Sequence, residues 1–183
     1  NKKVLVICNT VSKAQKIYRE MQEKTDRVNL LHSRYIRRDR AYLEDQIMKF
    51  SGSEETGIWI TTQIVEASLD IDFDVLFTEM CTADSLLQRM GRCNRKGRYF
   101  PEEANVIIYD NRNGVGKKSI YDPTMYDRSL KLLAEYEGIP FGEDRKTFYM
   151  NQVYDPKEIK ETGYYKEIEE YLDKLDRIHP TAV

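Results

Sequence analysis

A chain of 183 residues, 40% hydrophobic and 33% charged, suits one α/β domain with an appendage, and its composition excludes wholesale disorder. The formal net charge of -2 excludes a uniformly basic nucleic-acid binder, so any affinity for a polyanion must come from local clustering. Three cysteines, Cys8, Cys81 and Cys93, without a CxxC pair point away from a disulfide framework or a zinc site and towards a reducing, cytoplasmic setting; no apolar run reaches the ~20 residues a membrane helix needs. The opening residues NKKVLVICNT read as a core strand rather than a leader, and the sequence is expected to start inside something larger. Val4 to Cys8 is a continuous apolar run, as in a strand buried on both faces of a parallel sheet. From Ser12 the spacing turns helical, with Ala14, Ile17, Tyr18 and Met21 on one face. Val28 to Leu31 predicts a second strand. Tyr42, Leu43, Ile47 and Phe50 predict a second helix, closed by Ser51 and Gly52. Further strands are expected at Ile58 to Thr62, Val75 to Thr78 and Asn105 to Tyr109, with a helix from about Ser85.

Strands alternating with helices imply right-handed crossovers and a doubly wound, mainly parallel α/β sheet over residues 1–110. Ligands of such sheets bind beyond the carboxyl ends of the strands, which directs attention to the loops after Cys8, Leu31, Thr62 and Thr78. Residues 111–183 are expected to form a C-terminal helical extension, or a linker toward a further, accessory domain that the sequence does not contain, and the last helix either docks on the lobe or meets such a neighbour. The stretch begins with the polar loop NRNGVGKKS wandering over the surface, followed by a helix from Met125 to Tyr136. A last helix from about Tyr164 to Ile178 carries the apolar stripe Ile168, Tyr171, Leu172, Leu175 and Ile178, which must bury against something.

The stretch QRMGRCNRKG, Gln88 to Gly97, holds three arginines and a lysine and no carboxylate. On a continuous helix Gln88, Arg92 and Arg95, spaced i, i+4 and i+7, share an outward stripe opposite Ala83, Leu86, Met90 and Cys93. Guanidinium forks match phosphate oxygens and stay charged, so the stripe reads as a phosphate clamp. It reads equally as a basic helix end complementing the macrodipole. Gly91, unfavourable inside a helix by ~1 kcal/mol, suggests a close approach by backbone or ligand.

The order Gln88-Arg89-Met90-Gly91-Arg92-Cys93-Asn94-Arg95 resembles the QRxGRxxR signature that closes the second RecA-like lobe of superfamily-two helicases. TTQIVEASLDIDFDVL resembles the signature preceding it. Together with VLVICNTVSKAQKIY, LHSRYIRRDR and SLLQRMGRCNR, these stretches are similar to the helicase half of the CRISPR-associated helicase-nuclease of type I systems, over about Lys3 to Tyr109. The resemblance implies a RecA-like lobe and a DNA helicase or translocase of CRISPR interference, in antiviral defence. Its ATP lies between two lobes, with Mg2+ held by ligands on the first lobe. Arg95 is then the arginine finger, Arg92 its companion and Gln88 the group that orients the site; such a finger is worth ~10³–10⁵ in rate. Asp70 is placed to accept from the ribose hydroxyls; alternatively Asp70, Asp72 and Asp74 simply alternate with Leu69, Ile71 and Phe73 along a half-exposed strand.

A single strand of DNA is expected along Asn9, Thr10, Thr61, Thr62, Gln63, Ser33 and Arg34, small donors at strand ends that suit backbone phosphates rather than base edges. Thr10 serves equally well as the cap of the following helix. Arg37, Arg38 and Arg40 read as a solvated face with Asp39 and Glu44, and His32 as a packing residue. Ten of the thirteen tyrosines lie from Tyr99 onward; base stacking is one reading, and packing of Tyr126, Tyr136 and Tyr171 on helical stripes is the other. The sequence holds no GxxxxGK[ST] loop, no acidic box and no nuclease histidine-aspartate cluster, only His32 and His179 being present. By itself it is expected to be inactive, needing the first RecA-like lobe and the nuclease domain of the same protein. The CRISPR guide-RNA surveillance complex is the expected recruiting partner, and no membrane is involved. Gln88 and Asn94 depart from the HRxGRxGR form of RNA helicases, which tilts the substrate towards DNA. An RNA motor and a non-catalytic nucleic-acid-binding module stand as rivals.

Overall fold

The computed structural model describes residues 2–66, 69–97, 104–116 and 118–177. Five strands, β1 (Lys3–Ile7), β2 (Val28–Leu31), β3 (Gly57–Thr61), β4 (Val75–Glu79) and β5 (Val106–Tyr109), form one sheet in the order β2-β3-β1-β4-β5. Every neighbouring pair is parallel, and Leu5 of β1 lies opposite Trp59 of β3 and Leu76 of β4. The period-two alternation of side chains sends Leu5, Ile7 and Trp59 to one face, where they meet Ile47, Leu43 and Phe50 of α2 (Arg37–Gly52). Val6, Cys8, Ile58 and Ile60 go to the other face and meet Ala14 and Ile17 of α1 (Val11–Gln22). The α/β, doubly wound parallel sheet expected from the apolar runs is therefore present. Its switch point lies between β1 and β4, where successive crossovers run in opposite directions.

Several boundaries move. α2 starts at Arg37, a full turn before its first apolar residue, because Arg40 pairs with Glu44 at 2.8 Å along a solvated face that periodicity does not mark. α3 (Ala83–Met90) is shorter than expected. Gly91 is its C-cap, and its N–H bonds the Arg89 and Leu87 carbonyls. Beyond it the chain runs through turns around a single bridge: Arg92 O accepts from Phe73 N at 3.0 Å, Asn94 N donates to Phe73 O at 2.8 Å, and Asn94 adopts φ +48°. The continuous helix carrying Gln88, Arg92 and Arg95 on one stripe is corrected accordingly, since this bridge to the strand entering β4 ends it. A Cβ at Gly91 would sit 3.4 Å from the Gln88 and Leu87 oxygens, so no tight approach demands glycine there.

The extension comprises α4 (Pro123–Leu133) with a 3-10 turn at Ala134–Tyr136, then α5 (Glu143–Val153), α6 (Pro156–Ile159) and α7 (Gly163–Asp176). The sequence reading lacked α5 and α6. Residues after 110 share their core with α3: Tyr121 and Tyr126 pack with Met80, Cys81 and Leu86, while Met125, Tyr149, Val153 and Ile159 surround Ala83. Burying a large apolar side chain contributes ~1.5–3 kcal/mol, and Tyr126 and Tyr149 are fully buried, so the extension is firmly seated. The 111–116 loop does not wander. Its Asn113 carbonyl accepts from Asn9 Nδ2 at 2.7 Å, and Gly114, at φ +79°, is one position where glycine is needed, since an added Cβ would also lie 3.2 Å from Ile120 Cδ1. The last stripe is not buried within this chain: Ile168, Tyr171, Leu172 and Leu175 are 38–64% exposed on α7, which touches the rest of the fold mainly through α4. Ile178, His179 and Tyr99 lie outside the described residues.

Candidate nucleotide and nucleic-acid sites

Leu69, Ile71 and Phe73 are buried, so the extended segment before β4 turns Asp70, Asp72 and Asp74 the other way. Two of the three carboxylates are tied to backbone. Asp72 accepts from Arg95 N at 2.7 Å and from Lys96 N at 3.4 Å, and Asp74 accepts from Lys3 N at 2.7 Å. Asp70 is left, 82% exposed, and pairs with Arg95, which is itself 48% exposed. Such exposed pairs contribute only ~0.2–1 kcal/mol, so a phosphate could replace the carboxylate.

Arg92 is held differently. Its Nε donates to Val65 O at 3.0 Å and its Nη2 to Glu66 O at 2.7 Å, which leaves Nη1 without a protein acceptor among the described residues. Burial lowers its pKa, with the like charge of Arg95 adding and Asp70 opposing. The three groups therefore share one field: two guanidiniums from one turn, one anchored by main chain, the other free to exchange an exposed partner. Gln88 is exposed on the last turn of α3 and makes no side-chain hydrogen bond among the described residues. Arg92 is thus held in the loop after Thr62, at the carboxyl end of β3, while Asp70 and Arg95 lie further along the segment that leads to β4.

The tips of β2, β3 and β1, adjacent in the sheet, carry the other expected set. Ser33 and Arg34 are exposed and Thr10 half-buried, its hydroxyl oxygen capping α1 by accepting from Lys13 N at 3.3 Å. Of the remaining four, Asn9, Thr61 and Thr62 are buried and are corrected as direct surface contacts, whereas Gln63 is half-buried and turns its amide N–H inward. Asn9, 1% exposed, donates through Nδ2 to Met80 O at 2.8 Å as well as to Asn113 O, while its buried Oδ1 has no partner among the described residues. Thr61, fully buried, donates to Val6 O at 3.3 Å, and Thr62 is 2% exposed. Gln63 Nε2 donates to Asn9 O at 2.7 Å and to the Tyr121 hydroxyl at 3.4 Å. Polar side chains at buried strand ends satisfy neighbouring backbone before they meet solvent. His32 lies beneath this surface, 5% exposed, stacked on Tyr35 at 4.4 Å and 3.3 Å from Gln15 Nε2; burial lowers its pKa.

Sequence reasoning missed Arg89, the neighbour of Gln88. It is fully buried and donates to Glu66 Oε1 at 2.7 Å, Thr78 Oγ1 at 2.9 Å, Glu79 O at 3.0 Å and the Tyr121 hydroxyl at 2.6 Å. The signal was helical phase, since Arg89 falls three residues after buried Leu86 on the apolar side of α3. Glu79, buried at the tip of β4, accepts from Asn9 N at 2.6 Å and from Asn111 and Asn113. The cysteines are free and buried, and burial pushes all three thiols up to about 12. Among the described residues no group of three or more His, Cys, Asp or Glu could hold a metal ion, and no helix is long and apolar enough to cross a membrane.

A family model described as "CRISPR-associated nuclease/helicase Cas3, C-terminal" matches residues 1–98. The chain is 36% identical over 184 residues to the CRISPR-associated nuclease/helicase Cas3 of Methanothermobacter thermautotrophicus, covering 96% of this chain and 21% of that protein. It is 32% identical over 173 residues to the CRISPR-associated endonuclease/helicase Cas3 of Escherichia coli K12, covering 86% and 20%. By structure it is similar to the crystal structure of T. fusca Cas3-ATP, with a TM-score of 0.74 and 25% identity over 96% of this chain and 22% of that one. The chain thus spans about a fifth of the length of these relatives.

Proposed function

The chain belongs to the family of CRISPR-associated nuclease/helicase Cas3 C-terminal domains, and from that premise we propose that it is the second RecA-like motor lobe of an ATP-dependent DNA helicase or translocase acting in CRISPR interference. The observation that carries the reading is the pair Arg92 and Arg95. Charge spreads over the outer oxygens of a transferring phosphoryl group, and fixed guanidinium donors aimed there lower the barrier without reorganising. Arg92, gripped by the Val65 and Glu66 carbonyls, is the fixed member. Arg95 exchanges Asp70 for the terminal phosphate, which frees the Asp70 carboxylate to accept from a ribose hydroxyl. Gln88, exposed at the end of α3, orients the same site. The donor set fits the outer part of ATP and lacks a phosphate-cradling loop, so the first lobe of the same protein grips the phosphates. Mg2+ held on that lobe would neutralise the developing charge. Support for nucleotide use comes from the similarity to T. fusca Cas3-ATP.

The nucleic-acid surface is reduced to Thr10, Ser33 and Arg34, with Asn9, Thr61, Thr62 and Gln63 supporting them from below. Hydroxyls and one guanidinium at adjacent strand tips suit phosphates irrespective of sequence, as a translocating motor requires. The nuclease domain of the same protein and a guide-RNA surveillance complex are the partners this reading assigns. The test is ATP turnover by the full-length protein with and without single-stranded DNA or RNA, beside the isolated chain. DNA should stimulate the full-length enzyme more than RNA, and the isolated chain should give no turnover. Hydrolysis by the isolated chain, or equal stimulation by RNA, would overturn the reading.

A further inference from the structure

Tyr121 lies in the extension, beyond residues 1–98 that the family model matches, yet its hydroxyl meets Arg89 and Gln63, which lead to the two candidate sites. The ring is 5% exposed, and its backbone is pinned within its own loop, where Tyr121 N donates to Gly114 O at 2.9 Å and Gly116 N to Tyr121 O at 3.1 Å. The phenolic oxygen accepts from Arg89 Nη2 at 2.6 Å and from Gln63 Nε2 at 3.4 Å. Through Arg89 it leads to the Glu66 carboxylate, and the carbonyl of that same Glu66 holds Arg92. Through Gln63 it leads to the Asn9 carbonyl at 2.7 Å, immediately before Thr10. One short segment, Gln63 to Glu66, is thus tied at one end directly and at the other through Arg89 to a single hydroxyl fixed from elsewhere in the fold. Burial raises the pKa of this tyrosine to about 12, so it remains a neutral phenol able to take both bonds.

We infer that Tyr121 is a positioning residue that locks the Gln63–Glu66 segment, so that occupancy of the strand-tip surface by DNA is felt at the Arg92 cradle. The inference rests on the motor reading above. Its physical content is a shared partner: a strand that shifts Gln63 alters the weaker of the two bonds to the hydroxyl, and Arg89 with Glu66 is the only other group on that oxygen among the described residues. Spatial continuity alone does not establish coupling, so the test measures coupling directly.

In the full-length protein, ATP hydrolysis is measured with and without a single-stranded oligothymidylate for wild type, Tyr121→Phe and Tyr149→Phe. Tyr149→Phe removes an equally buried hydroxyl of the same extension, one that donates to Ser129 O at 2.9 Å and touches neither Gln63 nor Arg89. Tyr121→Phe should lower the stimulation ratio ~10-fold, within the ~5–150-fold typical of coupling between sites, with unstimulated hydrolysis and oligonucleotide affinity held within about twofold. Tyr149→Phe should keep the ratio. If Tyr121→Phe does not fold, Gln63→Leu removes the same bond from its other side together with the one to Asn9 O, and should lower the ratio at saturating oligonucleotide; a loss of affinity with an unchanged saturating ratio would sink the inference. An unstimulated wild type would sink the motor reading and this inference together. A stimulated wild type with an unchanged Tyr121→Phe ratio would sink the inference alone, as would equal losses in both phenylalanine variants or a parallel fall in unstimulated turnover.

Discussion

Arg89 and Arg95 stand six residues apart in one basic stretch, and the fold uses them in opposite ways. Arg89 is fully buried and makes four hydrogen bonds, to Glu66, Thr78, Glu79 and Tyr121. Arg95 is half-exposed and its side chain has one carboxylate, itself open to water. Burial disfavours charge at Arg89, but Cys81, Tyr121 and Glu66 outweigh it and raise its pKa. At Glu66 burial pushes the carboxyl up and Arg89 only partly offsets it. The 2.7 Å bond between them opposes the effect of burial at Glu66, and three further bonds hold Arg89 in place. A fully buried guanidinium held by four hydrogen bonds to interior groups cannot readily change partners and serves architecture. One held by a single exposed oxygen can exchange it for a ligand.

Three changes would break or sharpen that contrast. Arg95→Lys in the full-length protein should lower ATP turnover by ~10³-fold, because the point charge lacks the paired donors, while unfolding stability stays within ~0.5 kcal/mol. Turnover within tenfold of wild type would make Arg95 a plain surface charge. Arg89→Met should act the other way round, costing ~3–5 kcal/mol in denaturant unfolding by stranding the Glu66 carboxylate and the Tyr121 hydroxyl. A loss below ~1 kcal/mol would mean the buried network is not cooperative. The smallest effect is expected at the strand tips, where buried His32 underlies exposed Ser33 and Arg34. Burial lowers its pKa from the ordinary 6.5, so the folded state binds the proton less well than the unfolded one. Its contribution to stability is complete above pH 6.5 and is lost as pH falls through the depressed value. His32→Gln should flatten that acid limb in thermal unfolding, and an unchanged limb would assign it to other groups.

Much of the fold was legible because burial leaves a simple mark. Apolar runs such as Val4 to Cys8 announced strands covered on both faces, and the strand-helix alternation announced a parallel sheet. α5 was not legible. Its fully buried Tyr149 and Val153 stand among Glu143, Asp144, Arg145 and Lys146, a face too narrow to raise a period. At the sites, residue types pointed to Arg92, Arg95 and Asp70, but not to their arrangement: a helical wheel put the arginines on one stripe, whereas a bridge to Phe73 ends the helix at Met90. Asn9, Thr61 and Thr62 carried the chemistry of a phosphate track and proved to be buried, since which side of a strand tip faces water depends on what packs over it.

By itself the sequence determined the elements, the sheet type and which side chains are able to meet a phosphate, because each follows from local periodicity and functional groups. Only the tertiary structure decided which arginine is spent inside and which stays exchangeable, and that Tyr121 from a distant loop stands between the two candidate sites. Those outcomes depend on contacts between residues far apart in the chain, and no local pattern encodes the partner a buried donor will find.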